Sequence, residues 1–153
     1  MQTFLPLSDF AASAAALDDR RLGKQRVEAL QILRALTREA YGWKHHPAVR
    51  MWAGYEEALV AYALAVCKEW CRRGKADTCA AKILDDAALG RPPRTQRQLA
   101  RAKRLPPWLG DDGFHRSHQS SLVRKDPEHY GPQFPGVPDD LPYVWPKMSE
   151  EPD

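Results

Sequence analysis

Residues Asp18–Arg38 read DDRRLGKQRVEALQILRALTR. Leu22, Ala29, Leu33, Leu36 and Ala40 recur at intervals of seven, four, three and four, which draws one apolar stripe along a helix. Asp18 or Asp19 can cap its start by accepting from the unpaired N–H groups of the first turn. A helix is therefore predicted to run from there to about Arg38. Its opposite face carries Arg21, Lys24, Gln25, Glu28 and Gln31. Glu28 is the one carboxylate on that face. Lys24 sits one turn before it, so an ordinary surface ion pair of about 0.3–0.5 kcal/mol accounts for the residue types taken alone.

The flanking segments repeat the pattern. Ser8 or Asp9 can cap a short helix ending near Ala16. Pro47 suits a first helical turn, where a missing N–H costs nothing. Trp52, Leu59, Ala63, Val66 and Trp70 continue a stripe to Arg72 and Arg73, and Gly74 suits the residue just past the end. One long helix is predicted there, with shorter ones over 77–88, 95–103 and 113–125. No segment alternates strictly between apolar and polar, so the fold class is all-α.

The chain has 153 residues, the length of one ordinary domain, expected over 1–146. Beyond residue 90 lie 11 of the 13 prolines. The stretch from Pro127 to Pro146 interleaves Tyr130, Phe134, Tyr143 and Trp145. Linkers are poor in aromatics, so this segment is expected to wrap the helical body. Residues 147–153 end acidic and are expected to be disordered. Mean hydropathy is −0.59, and no apolar run approaches the roughly 18 residues of a membrane span. Met1–Phe10 does not read as a signal peptide, so a cytoplasmic location is expected. Three cysteines argue against a disulfide framework. Cys67, Cys71 and Cys79 lack the spacing of a metal site, and no nucleotide-binding loop occurs. Neither a metal nor a cofactor is expected.

Charge is sorted along the chain. Arg20 to Arg50 holds eight Lys or Arg against two acids, and Arg91 to Arg104 holds six and no acid. Such blocks suggest a basic surface for nucleic acid. A second cluster, His115, Arg116, Ser117, His118, Gln119 and Ser120, followed by Arg124 and Lys125, mixes donors suited to phosphate oxygens. His115 and His118 share a helical face but lack a third ligand type at metal spacing.

Three blocks in order carry a resemblance. Leu17, Leu22 and Glu28 lie five and six residues apart within LDDRRLGKQRVE. A long helix ends Cys67 through Arg73-Gly74. Gln119, Leu122 and Lys125 precede Pro127 and Tyr130. Together they resemble the pyrimidine-dimer DNA glycosylases, over residues 1–132. That resemblance implies an all-α, single-domain, cofactor-free enzyme acting on double-stranded DNA with a damaged, modified or abasic site. It implies a glycosylase that attacks the sugar C1′ with an N-terminal α-amine, passes through an imine and cleaves the strand by β-elimination. An α-amine titrates at about 7.7–8.0 in general, so a useful fraction is nucleophilic near neutral pH. The resemblance makes Glu28 the catalytic carboxylate, and Arg20, Arg21, Lys24, Gln25, Arg26, His115, Arg116, His118, Gln119, Arg124 and Lys125 the DNA-binding residues.

The sequence departs from the family in three respects, one being a longer N-terminal lead to Glu28. The family's nucleophile is a threonine exposed by loss of the initiator methionine. Here Gln2 is bulky, so Met1 is expected to stay and to supply the amine. Val27 and Gln31 occupy the positions of the arginines beside the family's glutamate, and Arg20, Arg21, Lys24 and Arg26 are expected to substitute. Other readings of the same residues are a non-catalytic nucleic-acid-binding module, a protein-interaction domain built on the aromatic tail, and a metal-dependent nuclease, for which no carboxylate cluster is present.

Overall fold

The computed structural model describes residues 1–146. Eight helices and no strand occur among them: α1 Phe10–Ala16, α2 Asp19–Thr37, α3 Pro47–Arg50, α4 Glu56–Arg72, α5 Cys79–Ala87, α6 Gln96–Arg101, α7 Asp112–Lys125 and α8 Pro127–Tyr130. The all-α expectation holds. The tail expected over 147–153 lies outside the described residues.

The caps act as the sequence suggests. Asp9 accepts from Ala12 N–H at 2.8 Å and Asp18 from Arg21 N–H at 3.4 Å. At α6, Thr95 and Gln98 form a reciprocal capping box. The helix expected from Pro47 onward is two helices. Gly54 takes a φ of 84°, which closes α3 and restarts the chain at α4. That break turns Trp52 fully inward, where its indole N–H donates to Thr3 Oγ1 at 3.1 Å. The predicted stripe of α2 holds for Leu22, Ala29 and Leu33, but Ala40 lies past the end of the helix and is exposed.

α2 and α4 form the centre of the molecule, with α1 packed on α4 and α5 on both. Phe10, Trp52, Tyr62, Phe114 and Tyr130 are buried together with the aliphatic stripes, each side chain contributing roughly 1.5–3 kcal/mol relative to exposure. Gly23 allows the close approach of α2 and α4: a Cβ there would lie 2.8 Å from the Trp70 ring. The Arg26 guanidinium lies over the same ring, 4.5 Å from its centroid, and is hydrogen-bonded to Asp77.

The proline-rich segment wraps the body as expected. Leu141 N–H donates to Ser120 Oγ at 3.0 Å, Val144 N–H to Ser117 Oγ at 3.1 Å, and the Tyr143 hydroxyl pairs with Ser121 Oγ at 2.6 Å. The small hydroxyls of α7 thus serve as partners for an extended chain without a sheet. Tyr130 closes the other end, bonding the carboxylate and accepting from the backbone N–H of the α2 cap, Asp18.

Candidate active site

Residues 1–5 form no helix or turn, the chain bends over 6–9, and the segment passes between α2 and α7 with no neighbouring strand. Buried peptide groups need partners, and side chains supply them. Gln25, 1% exposed, donates through Nε2 to Gln2 O at 2.8 Å and accepts from Phe4 N–H at 2.8 Å through Oε1. The Tyr62 hydroxyl donates to Phe4 O at 2.6 Å. His118 Nδ1 accepts from Leu5 N–H at 3.0 Å, and His115 Nδ1 lies 2.7 Å from Leu5 O. Gly110 N–H donates to His115 Nε2, so the His115 proton sits on Nδ1 and is donated to Leu5. Gln119 donates to Pro6 O at 2.8 Å, and Ser13 both donates to Leu7 O and accepts from its N–H. The segment is held at nearly every peptide unit from Gln2 to Leu7.

This clamping fixes where the chain starts. Gln2 N–H donates to Glu28 Oε2 at 3.3 Å. The Glu28 side chain is 14% exposed, and Lys24 Nζ lies 3.5 Å from its Oε1. Met1, Gln2, Phe4, Arg20, Arg21, Lys24, Gln25, Glu28, Lys125 and Tyr143 line one cleft of about 420 Å³. His46, on the neighbouring α3 cap, registers both ends of the arrangement. Burial holds its imidazole below the usual histidine range, the α-amino group pushes in the same direction, and the Glu28 carboxylate opposes both. The tertiary structure therefore brings the N-terminus, a half-buried carboxylate and four cations to one opening.

The residues marked in the sequence divide into two groups. Met1, Glu28, Arg20, Arg21, Lys24 and Lys125 meet in the cleft. Arg116 and Arg124 are exposed on α7, and Arg124 donates to Asp139 O at 3.0 Å. Gln25, His115, His118 and Gln119, marked for DNA, hold the N-terminal segment, the first three buried, and Gln25 also lines the cleft. Burial pushes His118 down to about 3, the nearby His115 adding to it, so its ring is neutral and free to accept from Leu5. Arg26 faces α4 and α5 and is paired with Asp77. Sequence reasoning missed Tyr62, Phe4 and Tyr143. Tyr62 carries no signal beyond its place on an apolar helix, where burial pushes its phenol well above the usual range.

The cleft thus gathers an amine, a carboxylate and four cations, the last of a kind that suits the phosphates of a nucleic acid. The family description of pyrimidine dimer DNA glycosylases matches residues 1–91 of the 153-residue chain. The chain belongs to that family. The matched residues contain the N-terminal segment and α2, which together line most of the cleft. The glycosylase is accordingly a DNA-acting, all-α protein, and the remainder of its cleft, Lys125 and Tyr143, comes from outside the matched region. No curated protein and no solved structure matches the chain. No helix among the described residues is long and apolar enough to cross a membrane.

Proposed function

We propose that this glycosylase acts on pyrimidine dimers and opens the strand through an imine formed by the α-amino group of Met1. The observation that carries the reading is the hydrogen bond from Gln2 N–H to Glu28 Oε2 at 3.3 Å, within a segment whose other peptide groups are clamped. It sets the free amine one residue from the carboxylate, on the wall of the same cleft.

The neutral amine attacks C1′ and forms a C–N bond. The bond from C1′ to the base breaks, and its electron pair leaves on the base. The nitrogen gives up a proton, which Glu28 can take and return to the ring oxygen as the C1′–O4′ bond opens. The product is an imine. Loss of a C2′ proton then expels the 3′ phosphate. In its ionised form Glu28 stabilises positive charge developing on the sugar. Arg20, Arg21, Lys24 and Lys125 hold the flanking phosphates, with Arg116 and Arg124 extending the contact along α7. The family membership and the single cleft holding both reactive groups support this reading over a binding module.

The test is borohydride trapping on duplex DNA with an abasic site, using untagged protein. A covalent adduct mapping to the Met1 amine, absent after N-terminal acetylation and slowed in Glu28→Gln, is expected. Cleavage of the sugar–base bond at a dimer without any adduct would remove the amine from the mechanism. Salt-sensitive binding with neither reaction would leave only a binding module.

A further inference from the structure

A row of aromatic rings leads out of the cleft. Tyr143 lines the cleft wall. Trp145 lies 5.6 Å from it, His46 lies 6.1 Å from Trp145, and Trp43 lies 6.0 Å from His46, the last two contacts edge to face. The two indoles of the row are open to solvent, Trp43 60% exposed and Trp145 36%. Large exposed aromatics that adjoin a site call for an explanation that scattered ones do not.

Trp43 is also held in an unfavourable backbone conformation. Its φ is 71°, in the left-handed region that bulky residues rarely adopt. The turn is pinned on both sides. His46 N–H donates to Trp43 O at 2.9 Å, and the neighbouring Lys44 ammonium reaches back to the last carbonyls of α2, donating to Ala35 O at 3.1 Å and to Arg38 O. Strain of this kind persists where surrounding contacts over-determine it, and it concentrates at ligand-binding positions. Here the result is an indole displayed outward rather than packed into the core.

We infer that Trp43, joined to Trp145 through the His46 ring, forms a stacking ledge for a nucleobase turned out of the substrate duplex. The inference rests on the glycosylase reading of the adjoining cleft. A cleft of about 420 Å³ is far too small for a duplex, so C1′ reaches the amine only if nucleotides leave the stack. A base that has lost its neighbours needs another π surface, and the ledge is continuous with the cleft wall. Cations on the cleft side, Arg20, Lys24 and Lys125, would hold the backbone while the indoles take the base. Aromatic stacking tolerates any base because every base has a flat face.

The experiment compares binding to a duplex carrying one pyrimidine dimer with binding to the same duplex undamaged, at fixed salt. Glu28→Gln protein is used so that the DNA stays intact. Trp43→Ala in that background is expected to weaken dimer-duplex binding about thirtyfold, the middle of the range for loss of one stacked base, and to leave undamaged-duplex binding unchanged. Trp43→Phe keeps a π face and is expected to recover most of the loss. Quenching of tryptophan emission by the dimer duplex should shrink in both variants. Equal affinity ratios in Trp43→Ala and its parent would overturn the ledge. So would equal weakening on both duplexes, or a Phe variant as poor as Ala. If the unsubstituted protein, with Glu28 and Trp43 both intact, neither prefers nor cuts the dimer duplex, the glycosylase reading has failed and the ledge fails with it. If it does both and Trp43→Ala matches it, the ledge alone is wrong.

Discussion

Lys24 and Arg26 lie two residues apart on α2, and they meet opposite surroundings. The Lys24 side chain is 75% exposed at the cleft mouth, with Glu28 as a loose partner at 3.5 Å. Arg26 is 14% exposed, stacked on Trp70 and hydrogen-bonded to an Asp77 carboxylate that is itself 3% exposed. Further along the same helix, Arg34 and Arg38 share Asp86, at 2.9 and 2.6 Å. One side of α2 leaves charge exposed at the cleft mouth. The other uses charge to fasten α5. A single basic helix thus holds both open cations and a set of struts. The two differ not in residue type but in whether an acidic residue from a distant segment reaches them.

Substitutions sharpen this contrast. The largest effect is expected at Glu28. Glu28→Gln should slow sugar–base cleavage by about 10²–10⁴-fold, the range for a lost proton-transfer group, with DNA affinity retained, as read by single-turnover cleavage. On the strut side, Asp77→Ala strands Arg26 without a carboxylate and should cost roughly 3 kcal/mol of stability, near the lower end for a broken buried pair. Chemical denaturation measures it, and a loss below the roughly 1 kcal/mol of a surface pair would place Arg26 with Lys24. Replacing Arg20 and Lys24 together should barely change stability. It should lower the salt dependence of DNA binding by about two in logarithmic slope, close to one per phosphate contact. An unchanged slope would mean that the cleft cations do not touch phosphates.

A pH dependence is expected as well. His118 is pushed down to about 3 in the fold, against about 6.5 in an unfolded chain. Between those values the unfolded chain binds the extra proton and the folded one does not, so stability rises with pH across that window. The contribution is complete above about 6.5 and is lost progressively on acidification toward 3. The paired carboxylates behave differently. Two arginines, Arg91 and Arg94, hold Glu57 far below its usual range, and Arg72 and Arg73 hold Glu69 at about 2. Their contributions fade only below about pH 4.5. A His118→Asn variant should therefore flatten the stability profile between pH 6.5 and 4.5 and leave the more acidic limb in place.

Part of the clustering around the cleft was legible in the sequence. Spacing placed Glu28 and Lys24 on one helical face, and the three-block resemblance singled out the N-terminal amine. The second cluster misled because His, Gln and Ser donate equally well to a phosphate and to a peptide. His115, His118 and Gln119 fell to the peptide, since the N-terminal segment passes directly beside α7. That segment, QTFLPL, has no helical period, and nothing in its composition announces that six peptide units will be satisfied by side chains from four other elements.

The sequence by itself determined the helices, most of their caps and the chemistry available to α2, because periodicity and capping depend on residues within a few turns of one another. It did not determine where the chain breaks at Gly54, which cations are neutralised or where Met1 comes to rest. Those depend on groups 20 to over 100 residues apart, such as Gln2 with Glu28 and Leu5 with His118. Only packing α2, α4 and α7 around the N-terminal segment brings them within hydrogen-bonding distance. A buried peptide group left without a partner costs too much to be tolerated, and so the fold committed those side chains to holding the segment in place.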